Sequence, residues 1–345
     1  MTEKPSKEIT IYDIAEVLGV APSTVSRALK NHHSISDATI KRVRKQAKKM
    51  GYRSNIFAKN LRRQQTNTIG VIVPKLNSHF MSSALSGMEK VANKNGYNLI
   101  ISQSSETAEK EASNVETMFK SRVDGLIVSL AYNTEDLKHF DQLAERNIPI
   151  IFFDRVADYH SSTNIVINNF KAGRMATNHL LDQGCRRIVH ITGNQIRNVY
   201  EDRLRGYKKA LKEHDIPFDP NLIIENRLNE EDGTEAAKQI LDMTPRPDAV
   251  FAANDVCAVS CMATLKEHSI LIPNDIAVVG FNNDPISRYV EPKLTTINYH
   301  GEEMGEIVVI NLINHLKGDN HINATNTIIL NSELIIRQSS KCCDS

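Results

Sequence analysis

Residues 10–29 read TIYDIAEVLGVAPSTVSRAL, and this stretch decides how the chain begins. Ile11, Ile14, Ala15 and Leu18 recur at i, i+3, i+4 and i+7, the stripe of one helical face. Thr10 is placed to cap that helix, with Asp13 as the reciprocal partner, and Gly19 to end it. Pro22 suits the first turn of a second helix, whose Val25, Ala28 and Leu29 face inward. Further on, Ser36 caps a third helix with Ile40, Val43, Ala47 and Met50 on its apolar face, and Gly51 stops it. Short helices joined by a turn of about three residues that holds a glycine form a helix-turn-helix pattern.

The outward residues of the second helix are Pro22, Ser23, Thr24, Ser26 and Arg27. They are small or hydrogen-bonding, as a helix entering a major groove requires. Arg27 is long enough to fork onto a guanine edge, and the hydroxyls can reach phosphates or bases. An ordinary helical bundle with an exposed first turn would show the same residues. A membrane-surface helix would need one long apolar face, whereas these stripes are short and converge.

Charge supports the nucleic-acid reading. The 345 residues carry a net charge of only +1, but residues 1–65 hold 14 Lys and Arg against 5 Asp and Glu, and residues 66–345 hold 28 against 36. A basic head on an acidic body points to an anionic partner for the head. At about 100–200 residues per domain the length implies two or three domains. With 41% hydrophobic and 24% charged residues the composition is that of a globular protein, too apolar for a disordered one. The longest apolar runs, as at 148–153, are far short of the about 20 residues that span a bilayer, so no membrane association is expected. Residues 1–8, MTEKPSKE, lack the apolar core of a signal peptide, and a cytoplasmic protein is expected. The five cysteines, Cys185, Cys257, Cys261, Cys342 and Cys343, form no disulfide framework and no zinc spacing. Cys257 and Cys261 read as small apolar residues on one helical face, and neither a metal nor a cofactor is expected.

Taken together, residues 10–29, the continuation SDATIKRV at 36–43 and GYRSN at 51–55 resemble the lactose/galactose repressor family. AKNLR at 58–62 resembles its hinge helix and TIGVIVP at 68–74 the first strand of its effector domain. The resemblance runs from about residue 10 to about residue 337. It implies a helix-turn-helix DNA-binding domain over 1–54, a hinge helix and linker over 55–65, and a two-lobed effector-binding and dimerisation domain over 66–345. It also implies that Pro22, Ser23 and Arg27 read bases and that Tyr12, Ser26 and Asn55 contact or support the phosphate backbone. Leu61 matches the hinge leucine that wedges into the operator's central minor groove, where Lys59 and Arg62 would meet phosphate. Leu61 could equally pack against its dimer mate, since so short a helix is not stable alone. The family commonly has proline before the hinge asparagine. Ser54 stands there instead, which implies altered coupling rather than lost binding.

After Gln65 short apolar runs alternate with helical stretches. Strands are expected at 69–73, 98–102, 125–129, 149–153, 164–167, 187–192, 222–225, 249–252 and 277–280. Helices are expected at 81–95, 109–121, 172–183 and 203–213, among others. Continuous apolar strands separated by helices mean crossover units and buried parallel sheets, here in two similar lobes. This α/β architecture matches the periplasmic-binding-protein-like effector domain that the resemblance implies.

Ligands in such sheets bind outside the carboxyl ends of strands. Asn77, His79 and Phe80 follow the first strand, Ser129 the third, and Asp154 and Arg155 the fourth. In the second lobe the expected ends are Asn168–Asn169, Asn254–Asp255 and 282–284, beginning with Asn282. Arg203 opens a helix where the family often places a ligand-clamping arginine. Such a cleft, with Phe80 and Phe281, suits a polyhydroxylated ligand. Asx residues also favour strand-to-helix turns for purely local reasons. Asn282 stands where many relatives have aspartate, which widens the ligand class, and Arg155 hints at an anionic group.

The chain has no Walker motif, G-x-G-x-x-G, G-x-S-x-G or H-E-x-x-H, and no nucleophile–base pair at local spacing. His190 lies mid-strand and reads as a core residue. The expected function is a DNA-binding transcriptional regulator, a repressor rather than an enzyme. It would act as a homodimer on a palindromic operator under the control of a small-molecule effector, a carbohydrate by family resemblance. No leucine heptad follows Arg337, which favours a dimer over a tetramer. The competing reading is a soluble sugar-binding receptor or α/β enzyme with an unrelated basic head.

Overall fold

The computed structural model describes residues 9–52, 65–160, 162–318 and 327–340. It divides into two compact units, Met1–Thr66 and Asn67–Ser345.

In the first unit, helices α1 (Ile11–Leu18), α2 (Pro22–Leu29) and α3 (Asp37–Lys49) form the expected head. Thr10 and Asp13 close a reciprocal cap: the Thr10 N–H donates to Asp13 Oδ2 at 2.7 Å and the Asp13 N–H returns to Thr10 Oγ1 at 3.4 Å. Gly19 ends α1 at φ +66°, a left-handed conformation that costs glycine least. Pro22 takes the first position of α2, and Ser36 accepts from the Thr39 N–H to cap α3. Ile14, Ala15, Val25, Ala28, Val43 and Ala47 bury a core shared by all three helices. Arg42 Nη2 ties α3 to the end of α1 through Leu18 O at 3.2 Å.

The second unit contains β1 (Thr68–Val73), α4 (His79–Lys94), β2 (Asn98–Gln103), α5 (Ala108–Lys120), β3 (Gly125–Val128), α6 (Asp141–Ala144), β4 (Ile150–Phe153) and β5 (Ser162–Ile167). There follow α7 (Asn169–Asp182), β6 (Ile188–Thr192), α8 (Asn198–Glu213), β7 (Ile223–Glu225), α9 (Glu230–Asp242), β8 (Ala249–Ala252), α10 (Asp255–Glu267), β9 (Ala277–Asn282), α11 (Ile286–Tyr289) and β10 (Thr295–Asn298). α12 (Gly301–Lys317), β11 (Thr327–Leu330) and β12 (Glu333–Ile335) complete it. The strands form two sheets in the orders β11-β5-β4-β3-β1-β2 and β12-β10-β9-β8-β6-β7. Every pairing is parallel except that of β12 with β10. Both sheets reverse direction of build at the same place, between β1 and β3 in one and between β6 and β8 in the other, which opens a crevice at their carboxyl ends.

β3, β4 and β8 are buried at every position because helices cover both faces. The chain crosses between the sheets after β5, after β10 and after β11. Helices approach closely where glycine permits. A Cβ on Gly173 of α7 would sit 2.8 Å from the Cα of Arg203 in α8, and one on Gly206 would meet the Arg174 N at 2.6 Å. This contact sets the depth at which α8 presents Arg203.

Some expectations are corrected. The strand ending at Ile167 lies in the first sheet, paired with β4, so Asn168 and Asn169 stand at a crossing and not at a second-lobe strand end. Arg203 does not open a helix: α8 starts at Asn198 because Val199 and Tyr200 already bury an apolar turn. β10, β11 and β12 were not anticipated. Cys257 and Cys261 are buried in the second lobe's core, and burial pushes the Cys257 thiol up to about 12. The Ser54 position and the expected hinge helix at 58–62, with Asn55, Lys59, Leu61 and Arg62, lie outside the described residues.

Candidate ligand cleft and DNA-facing helix

On the head, the face of α2 opposite Val25 and Ala28 reaches the surface. Ser23 and Arg27 are exposed, and Pro22, Thr24 and Ser26 are half-buried. Tyr12 on α1 is 67% exposed. No side chain caps α2. On α3, Lys41, Arg42, Arg44, Lys45, Lys48 and Lys49 are all exposed, a cationic face beside the core.

In the second unit a cavity of about 380 Å³ opens between the carboxyl ends of the two sheets. It collects Asn77, Phe80, Asp154, Arg155, Arg203, Asn254 and Asn282 from distant parts of the chain. Two nominated residues stand behind this wall. Ser129 is fully buried and supports Asp154 through its hydroxyl, 3.4 Å from Oδ2. Asp255 is also fully buried; its Oδ1 accepts from Thr296 Oγ1 at 2.6 Å and its Oδ2 from the Asp284 N–H at 2.7 Å. It braces the loop after β9 rather than facing a ligand, and burial holds its pKa well above the usual carboxylate range.

Asp154 sits at the end of β4 with φ +58°. Its Oδ1 accepts the Tyr299 hydroxyl at 2.8 Å. Burial raises its pKa, opposed by the charges of Arg155 and Arg203. Arg203 is buried on α8. Its Nε donates to Asn169 Oδ1 and its Nη1 to Ala253 O, both at 2.9 Å, and its guanidinium lies on the Phe281 ring. Among the described residues no hydrogen-bond partner takes Nη2. Phe281 therefore supports the site from beneath and does not line it.

The anionic hint from Arg155 weakens on inspection of its neighbours. Arg155 Nη1 meets Glu106 Oε2 at 2.7 Å and Nη2 meets the Tyr200 hydroxyl at 3.1 Å, so its charge is already balanced. Asn254 caps α10, accepting from the Cys257 N–H at 2.8 Å while its Nδ2 donates to Leu228 O at 2.7 Å. Its amide serves the local turn first, as Asx residues commonly do. The cavity also takes His79 and Asp284 from the expected strand ends, and Lys75, Glu106, Tyr200, Arg227 and Tyr299, which sequence reasoning did not nominate. Tyr200 carried a signal, standing three residues before Arg203 on the same helical face. Tyr299 carried none, since it arrives on a crossing between the sheets.

The lobes touch on both sides of the cavity. Asn198 Nδ2 donates to Asp154 O at 3.0 Å and its Oδ1 accepts the Val156 N–H at 3.0 Å. The Tyr132 hydroxyl accepts the Asn194 N–H at 3.0 Å and donates to Asn226 O at 3.2 Å. His79 Nδ1 stands 3.4 Å from Asp284 Oδ1. Such contacts can form or break as the lobes move, which is what a ligand-driven closure needs.

A basic helix-turn-helix head carried on the same chain as a two-lobed ligand cleft defines a class, the DNA-binding regulators with a built-in small-molecule receptor. A family model described as bacterial regulatory proteins, lacI family, matches residues 10–55, and one described as a periplasmic binding protein-like domain matches residues 177–340. The chain is 32% identical to the transcriptional repressor PurR of Vibrio atlanticus over 90% of its own length and 93% of that protein's. It is 30% identical to the ribose operon repressor of Haemophilus influenzae, covering 96% and 98%. Its fold superposes on the lac repressor dimer bound to operator and the anti-inducer ONPF with a TM-score of 0.86 at 25% identity, covering 97% and 100%. The chain belongs to the lacI family of bacterial regulatory proteins. It is a DNA-binding transcriptional regulator, and the α/β-enzyme reading is set aside with that membership. Among the described residues no helix is long and apolar enough to cross a membrane.

Proposed function

We propose that this regulator is a cytoplasmic repressor acting as a homodimer on a palindromic operator, with operator affinity set by a polyhydroxylated effector in the cleft. The observation that carries the DNA half is the surface of α2: Ser23 and Arg27 stand free, with Pro22, Thr24 and Ser26 beside them, while Val25 and Ala28 hold the opposite face in the core. Pro22, Ser23, Thr24 and Arg27 would meet base edges in the major groove, and Tyr12 and Ser26 would meet phosphate. From sequence resemblance, Asn55, Lys59 and Arg62 would hold the backbone near the centre of the site and Leu61 would wedge a base step. For the ligand half, amide, carboxylate and guanidinium groups converge with Phe80 on one cavity, which suits hydroxyl-rich recognition. An effector that prefers one arrangement of the lobes by about 1–3 kcal/mol changes operator affinity usefully.

Sequence selection on random duplexes at fixed salt tests this reading. The expected product is an inverted repeat whose half-sites lie about one helical turn apart. Recovery of no enriched sequence, or of a single unrepeated half-site, would refute it.

A further inference from the structure

The charged groups around the cavity fall into pairs with a remainder. Arg155 is matched by Glu106 at 2.7 Å, and the His79 ring stands 3.4 Å from Asp284. Arg203 is held by the neutral acceptors Asn169 Oδ1 and Ala253 O, and the buried Asp154 offsets its charge from beyond ion-pair distance. Two cations are left. Lys75 follows β1 in the first lobe and Arg227 follows β7 in the second; both line the cavity. Among the described residues neither has a carboxylate within ion-pair distance. Histidine aside, four Lys and Arg side chains line the cavity against three carboxylates, and Lys75 and Arg227 stand on its two different walls.

We propose that the ligand of this cleft carries an anionic group, phosphate or carboxylate, engaged by Lys75 from one lobe and Arg227 from the other. The inference rests on the cleft being the effector site. Two like charges on facing walls oppose closure, because each disfavours the other's approach. An anion between them reverses the sign of that term, so selection of the ligand and closure of the lobes become one event. A neutral sugar satisfies the floor of the cavity, at Asp154 and Arg203, but leaves the repulsion in place. The arginine supplies a planar fork and the lysine a mobile point charge, a combination that accepts tetrahedral phosphate or planar carboxylate.

Calorimetry on the full-length protein with matched sugars tests this: glucose against glucose 6-phosphate and glucuronate, ribose against ribose 5-phosphate, galactose against galacturonate. The expected result is that in at least one set the anionic member binds about tenfold or more tighter than its neutral parent. That margin shrinks with added salt. The double variant Lys75→Gln with Arg227→Gln collapses the margin from both sides, weakening the charged member and tightening the neutral parent as the repulsion is removed, with its melting temperature unchanged. Neutral members binding as tightly as charged ones, no charged member binding, or a full margin in the double variant would each overturn the inference. Operator binding measured in parallel separates it from the effector role of the cleft. A neutral sugar that alters operator affinity ends the inference and spares that role. A charged sugar that binds with the expected margin yet leaves operator affinity unchanged supports the inference and ends the role.

Discussion

The Arg203 guanidinium lies flat on the Phe281 ring, its central carbon 3.5 Å from the ring centroid. The ring replaces water on one side of a buried cation, a contact worth up to about 2 kcal/mol in such surroundings. Its other supports are neutral acceptors, Asn169 Oδ1 and Ala253 O. Arg203→Ala is therefore expected to abolish the response of operator affinity to ligand while leaving ligand-free operator binding unchanged. Gel-shift titration with and without ligand checks this; a variant that still responds would remove Arg203 from the site.

Arg27→Ala is expected to weaken specific binding by about 1–3 kcal/mol and to relax sequence choice at one position of each half-site. Repeating the sequence selection with the variant at the same salt reads both effects. An unaltered base preference would assign Arg27 to phosphate instead. The six exposed cations of α3 predict a further trend, a linear fall of log affinity with log salt in both proteins.

Gly173→Ala places a methyl group against the backbone of Arg203. Forcing α7 and α8 apart should cost about 1–3 kcal/mol in urea unfolding. Ligand binding should weaken as well, because α8 carries Tyr200 and Arg203 outward together. Unchanged stability would mean that the helices yield freely at this crossing.

His190 is fully buried between the rings of Tyr207 and Phe251, with Nδ1 2.9 Å from Phe251 O. Burial lowers its pKa to about 4, against 6.5 for the free side chain. The unfolded chain therefore binds the proton first. Stability present above pH 6.5 is lost as pH falls towards about 4, at up to about 1.4 kcal/mol per pH unit. His190→Phe should flatten that part of the profile. Urea midpoints measured at several pH values across this window decide the matter; parallel slopes in the two proteins would assign the acid sensitivity elsewhere.

The head was legible almost to the residue, because caps, turn glycine and apolar spacing are all local signals and all agree: Thr10 with Asp13, Gly19, Pro22 and Ser36 each do what their chemistry dictates. The inner strands were equally plain, being apolar on both faces. β11 escaped notice because it is an edge strand, exposed at alternate positions, and β10 because its Thr-Thr start buries hydroxyls in place of hydrocarbon. At the cleft, the rule about strand ends found Asp154 and Asn77 but could not say which way a side chain turns. Ser129 and Asp255 obey the rule and face inward. Glu106, Arg227 and Tyr299 follow the carboxyl ends of β2, β7 and β10, but only the order of strands in the folded sheets shows that these ends open onto the cavity.

The order of the first sheet has a consequence for biosynthesis. Its outer strand β11 is formed by residues 327–330, and pairs with β5, formed by residues 162–167. α12, which covers that sheet, also follows all of the second lobe except its last strand, β12. During translation the amino-terminal lobe therefore waits, with the β5 edge open and one face only partly covered, until nearly the entire chain has left the ribosome. The head can fold at once, but the receptor it serves comes into being only at the end.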